Sequence, residues 1–218
     1  MKLGIVGRGP WGDVYARNLW AMGVDFWQAG RDYGLRSADG VIVACAPHAH
    51  FAVARDFITQ GIPVLIEKPV CLSSQDARDL LAVAEERRVS VMVSHTRLYS
   101  PAWRDFKAQA LAAGVRRVYA EAGGPCKLSP LWDWGPHLAA MGFDLGVRPK
   151  IYTTADPRPL LVVVNGRLFF NDPPTVPTPL AAMLTEFMAL IATQEHRLDD
   201  LRLGLRVVEF LEGVEDGR

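Results

Sequence analysis

The chain has few cysteines, no excess of either charge and no long apolar run. Among its 218 residues only Cys45, Cys71 and Cys126 are cysteines, an odd number at wide spacing. That argues against a disulfide framework or a zinc site and points to a reducing compartment, the cytoplasm. Lys and Arg total 24 and Asp and Glu total 24, so no global field draws the chain to nucleic acid or anionic lipid. No apolar segment approaches the roughly 18 residues of a membrane span. The run Leu3 to Val6 is too short for a secretory signal. His48 and His50 form an H-x-H with no third ligand nearby, so no metal is expected. Core-forming material is what the chain does have: half of its residues are hydrophobic and 22% are charged, enough for a sizeable interior.

The first half alternates short apolar runs with amphipathic stretches. Strands are expected at 2–6, 25–29, 41–46, 63–67 and 89–94. Helices are expected at 11–22, 50–60 and from a Ser73 or Ser74 cap to 88, where Ala77, Leu80, Leu81 and Ala84 keep helical spacing. Such alternation predicts an α/β fold, a doubly wound parallel sheet with helices on both faces. The second half reads differently. It offers strands at 116–121, 151–154, 160–164 and 167–170, with Asn165-Gly166 between the last two, a strong signal for a type I′ hairpin turn. A Trp-rich helix lies between the first and second of these strands, and helices at 180–193 and 198–211 close the chain. The expected layout is a nucleotide-binding domain over 1–113, including a bridge helix, and a small α+β domain over 114–218 with a mainly antiparallel sheet.

Gly7-Arg8-Gly9-Pro10-Trp11-Gly12 is a G-x-G-x-x-G between a buried strand and a helix. The first glycine makes the tight turn, the second lets backbone approach a pyrophosphate, and the third permits close helix–strand contact. The helix N-terminus then holds phosphate charge. A dinucleotide is the expected ligand. The second strand ends in Gln28-Ala29-Gly30-Arg31-Asp32, with no carboxylate at its tip. Arg31 suits a 2′-phosphate, which favours NADP over NAD. The alternative leaves Arg31 solvated and gives the ribose to Asp32.

Three further stretches are distinctive: Ala46-Pro47-His48-Ala49-His50, then Gly61 to Pro69 with its Glu67-Lys68-Pro69, then Val93 to Arg97 followed by Pro101. Together with Asp133-x-x-x-His137, they resemble the Gfo/Idh/MocA oxidoreductase family, typified by glucose–fructose oxidoreductase and inositol dehydrogenase. The resemblance implies a Rossmann domain followed by a domain on a largely antiparallel sheet. It also implies hydride transfer between NAD(P) and a sugar, nucleotide-sugar or polyol. It gives catalytic roles to Lys68, Asp133 and His137, and cofactor contacts to the glycine loop, Pro47, His50, Glu67 and Lys68. The chemistry agrees: a secondary alcohol needs a base for its proton, and His137 has a suitable ordinary pKa. Asp133, one helical turn earlier, is placed to orient the imidazole. Lys68, at the carboxyl end of a parallel strand, is placed to stabilise charge on the reacting oxygen. His95 and Tyr99 are cleft or core residues, and Trp132 and Trp134 suit packing better than stacking on a ligand.

Two departures from the family pattern bear on function. Only 11 residues separate Ala29 from Val41, close to the minimum for a parallel crossover, so the usual helix there is expected to be a stub or absent. The second domain is small for the family. Two other readings therefore stand beside a dehydrogenase: a non-catalytic NAD(P)-binding subunit, and an enzyme whose retained cofactor drives elimination or hydrolysis by transient oxidation. An uncovered sheet face in the second domain predicts a homodimer.

Overall fold

The computed structural model describes residues 1–34, 36–171 and 173–217, and the side chain of residue 169 is outside the description. It divides into two compact units, one formed by Met1–Ser94 with Leu184–Val208 and the other by His95–Met183 with the C-terminal residues from Glu209.

The first unit is built on five parallel strands, β1 (Lys2–Val6), β2 (Asp25–Ala29), β3 (Gly40–Val43), β4 (Val64–Ile66) and β5 (Val91–Val93), in the order β2-β1-β3-β4-β5. The central strands are apolar on both faces: Leu3, Ile5, Val41, Ile42, Val43, Val64, Leu65 and Ile66 are fully buried, as a sheet covered on both sides requires. Helix α1 (Pro10–Ala21) joins β1 to β2, α2 (His50–Ile58) joins β3 to β4, and α3 (Ser74–Arg87) joins β4 to β5. Ser73 caps α3, its hydroxyl accepting from the amides of Gln75 and Asp76. Strand order reverses between β1 and β3, and open α/β sheets bind ligands at the carboxyl ends of strands beside such a switch point.

The β2–β3 crossover contains no helix among its described residues, as its length predicts. Aromatic packing stands in for one. Trp27 and Tyr33 lie 6.4 and 5.6 Å from Phe57 of α2, the Tyr33 hydroxyl donates to Asp56, and the Trp27 indole donates to the Ser37 carbonyl. Gly4 admits Trp27 onto the sheet: a Cβ there would lie 2.3 Å from the indole.

The second unit has the order β7-β6-β8-β9, from β6 (Val118–Gly123), β7 (Lys150–Thr154), β8 (Arg158–Val164) and β9 (Leu168–Asn171). Two of its pairings are antiparallel and β6–β7 is parallel, joined by helix α5 (Pro130–Asp144), so the sheet is mixed. Asn165 and Gly166 both take positive φ, 55° and 72°, the conformation a type I′ turn needs. Helix α4 (Pro101–Ala112) packs here: Trp103 and Phe106 stand 5.2 and 5.4 Å from Phe170, over Val118, Val162 and Leu138. The sequence places the division at 113/114 and counts α4 with the nucleotide domain. The contacts group α4 with the second sheet, because its apolar face is filled by β8 and β9 side chains.

Helices α6 (Pro179–Thr193) and α7 (Asp199–Glu215) follow. The later part of α6 lies on the first sheet, with Phe187 and Ile191 against Gly40, where a Cβ would lie 2.4 Å from Ile191 Cδ1. The segment between them covers the edge of β5: the Val91 amide donates to the Arg197 carbonyl and the Arg197 amide to Ser90 Oγ. Among the described residues no helix is long and apolar enough to cross a membrane.

Candidate functional site

At the end of β1 the chain turns sharply through Gly7, whose φ of 147° is a glycine conformation. A Cβ on Gly7 would lie 2.2 Å from the Ala44 carbonyl oxygen, and one on Gly12 would lie 2.2 Å from that of Gly7. These two glycines therefore let the loop, β3 and α1 approach one another. Gly9 is different. It starts α1 with ordinary backbone angles, no side-chain cap, and nothing within 4 Å of a Cβ position. Pro10 follows at the first helical position, where a missing N–H costs nothing, and the first-turn amides have no intrahelical acceptor. An open glycine, a bare helix N-terminus and unfilled space fit a pyrophosphate held by backbone amides. Trp11, the second residue of α1, is 46% exposed.

Gln28 braces the loop: its Nε2 donates to the Gly7 carbonyl at 2.8 Å and to Asp13 Oδ1 at 3.1 Å. Arg8 runs from the loop to the tip of β2, with its guanidinium Nη2 3.5 Å from the Gln28 carbonyl. Arg31 and Asp32 are exposed in the crossover just beyond.

The neighbouring strand ends step across the sheet in register: the Ala44 amide donates to Val6, that of Glu67 to Val43, and that of Ser94 to Ile66. Pro47 is half-buried in the turn after β3. His50, expected at the cofactor, is fully buried, with Nδ1 2.9 Å from the Pro69 carbonyl and Nε2 3.2 Å from that of Cys45. Burial pushes its pKa down, against the pull of those carbonyls. The ring ties the two turns together.

Glu67 also faces inward, 5% exposed. The Tyr15 hydroxyl donates to its Oε1 at 2.6 Å and lies 2.9 Å from Ser94 Oγ, which itself donates to Oε1 at 2.9 Å. The Lys68 amide donates to Oε2 at 3.1 Å. Burial pushes both acids up, Tyr15 well above its ordinary 10.0 and Glu67 above its ordinary 4.5, while the hydrogen bonds and the Lys68 charge pull Glu67 back. Through this network Glu67 anchors α1 and fixes the backbone from which half-buried Lys68 projects. Sequence reasoning missed Tyr15, Ser94, Gln28 and Arg8. The signal for Tyr15 is its place one turn before Leu19 on the buried face of α1, where a hydroxyl requires a partner.

In the second unit Asp133 and His137 lie one turn apart on α5, whose start is capped by Ser129. Asp133 Oδ2 accepts the amides of Lys127, at 2.5 Å, and Leu128, at 2.9 Å, so this carboxylate pins the segment leading into the helix as well as standing beside His137. Trp132 is buried, its indole donating to Glu215, and that of Trp134 donates to the Gly124 carbonyl; both are packing residues. His95 and Tyr99 are buried too.

The profile of an oxidoreductase family with an NAD-binding Rossmann fold, Gfo/Idh/MocA, matches residues 23–95. Over that stretch the chain is similar to the Gfo/Idh/MocA family. Among relatives, it is 25% identical over 141 residues to the rhizopine catabolism protein MocA of Rhizobium meliloti, covering 54% of this chain and 44% of that one. It is 32% identical over 93 residues to a UDP-N-acetylglucosamine 3-dehydrogenase of Acidithiobacillus ferrooxidans, covering 43% and 29%. The matches thus span less than half the length of these relatives. The structure of GenD2, from gentamicin A biosynthesis, in complex with NAD shares the fold at a TM-score of 0.83 and 19% identity, covering all of this chain and 95% of that one.

Proposed function

We propose that the chain is an NAD(P)-dependent oxidoreductase transferring a hydride between the nicotinamide and a sugar, nucleotide-sugar or polyol, with NADP favoured over NAD, in the cytoplasm. The observation that carries this reading is the glycine loop, in which two glycines are filled by the fold and Gly9 alone opens onto empty space. The names of the sugar-handling relatives support the substrate class. When bound, the cofactor supplies or accepts a hydride at the carbon bearing the reacting oxygen. The first-turn amides of α1 hold its phosphates. Lys68 donates a hydrogen bond to the reacting oxygen and stabilises negative charge there. His137 takes or returns the hydroxyl proton, and Asp133 orients His137 and secures the start of its helix.

The test is turnover of a panel of sugars, nucleotide-sugars and cyclitols with either cofactor, in wild type, Lys68→Ala and His137→Ala. Each variant should lose roughly 10²–10⁴-fold in turnover, and His137→Ala should leave the cofactor Kd unchanged. Unaltered turnover in both removes the assigned roles, and tight cofactor binding without turnover on any substrate replaces the enzyme with a binding subunit. For quaternary structure we propose a homodimer through the face of the second sheet carrying Tyr119, Glu121 and Tyr152. Sedimentation of wild type and Tyr152→Glu tests it.

A further inference from the structure

We infer that Arg8, the variable residue inside the glycine fingerprint, reads the 2′-phosphate of NADP, the role that spacing alone gives to Arg31. The inference rests on the dinucleotide reading above and concerns which side chain sets its selectivity.

The strand that should end in a ribose-binding acid ends instead in Gln28-Ala29-Gly30. Without a side chain at Gly30, the space beside the strand tip is occupied from elsewhere. The Cδ and Nε of Arg8 lie 3.7 and 4.0 Å from the position a Gly30 Cβ would take. Arg8 thus reaches from the phosphate loop to the corner where an adenine ribose meets β2. The contact of its Nη2 with the Gln28 carbonyl, at 3.5 Å, is long, and Arg8 forms no ion pair among the described residues. Its remaining guanidinium N–H groups face solvent and suit a phosphate in bidentate fashion. Arg31 is exposed and makes no hydrogen bond or ion pair among the described residues. Recruiting it costs the ordering of a long side chain that nothing yet holds, whereas Arg8 is already laid along the strand tip.

Asp32 shares the corner. Its Oδ1 lies 3.6 Å from the same Gly30 position. A carboxylate there accepts from a 2′-hydroxyl and repels a 2′-phosphate, so Gly30 is flanked by one group for each cofactor. Removing the cation should shift preference towards NAD.

The test is direct titration of the full chain with NADP and with NAD, by calorimetry, for wild type, Arg8→Ala and Arg31→Ala, with thermal unfolding as a check on folding. Arg8→Ala should weaken NADP at least tenfold while NAD stays within threefold, and Arg31→Ala should leave both within threefold. The inference is overturned if Arg31→Ala causes the selective loss and Arg8→Ala does not. It is equally overturned if Arg8→Ala weakens both cofactors alike, which would make Arg8 a pyrophosphate contact. If wild type binds neither cofactor, the dinucleotide reading itself fails and takes this inference with it.

Discussion

In the first unit the candidate residues sit on strand ends and are fixed by backbone geometry; in the second they sit on one helix and are fixed by what grips its first turn. Gly7 and Gly12 are required by carbonyl oxygens 2.2 Å from where a methyl would be. His50 and Glu67 are enclosed, their polar atoms taken up by Cys45, Pro69, Tyr15, Ser94 and the Lys68 amide. Asp133 instead holds a loop of three residues before α5 that ordinary side-chain capping then completes. A site made of strand ends tolerates little change in backbone and much change at its open rim. A helix-borne site should show the reverse.

The sharpest way to break this contrast is within the glycine loop. Gly7→Ala combines a positive φ with a backbone clash and should cost roughly 2–4 kcal/mol in urea unfolding. Gly9→Ala should change stability by less than about 0.5 kcal/mol while weakening cofactor binding. Equal costs for the two would erase the distinction between fold glycines and a ligand glycine.

Tyr15→Phe comes next. It removes a donor from a buried acid and should cost roughly 1–3 kcal/mol by chemical unfolding. The same network sets a pH dependence. Because burial holds the Glu67 pKa above 4.5 in the folded chain, the folded state binds more protons than the unfolded one between the two values. Its contribution to stability therefore declines as pH rises from about 4.5 through the folded pKa, and is constant below and above. Glu67→Gln should flatten that decline in a series of unfolding curves across pH, and an unaltered slope would place its origin elsewhere.

In the second unit Asn165→Ala should cost about 1–2 kcal/mol in thermal unfolding. Its Oδ1 accepts the amides of Arg116 and Arg117, and its Nδ2 donates to the Gly114 carbonyl. Among the second unit's side chains the smaller effect is expected from Lys107→Ala. Its bond to Asp144 is 2.6 Å but partly exposed, worth at most about 1 kcal/mol once solvent screening is counted. Asp144→Ala should exceed it in the same assay, since that change also strands the Trp103 indole N–H.

The same division explains what was legible in the sequence. Glycines forced by φ or by close approach, an Asn-Gly turn and continuous apolar strands are local requirements, and each was readable in place. That the described residues of the β2–β3 crossover hold no helix followed from counting residues. The inward turn of His50 and Glu67 was not readable, because it depends on Tyr15, Ser94 and Pro69 meeting across 19 to 79 residues of chain. Nor was the parallel β6–β7 pair, since strands that read alike alternate in direction or not according to the connection between them. The place of α4 depended on Phe170, more than 60 residues after Trp103 and Phe106, filling its face.

Gln28 carries a consequence for rates. Gripping the Gly7 carbonyl and Asp13 together, it should leave the glycine loop little conformational search to make when a ligand arrives. Association should then be a simple encounter without a slow isomerisation, and the two cofactors should differ in how long they stay rather than in how fast they land.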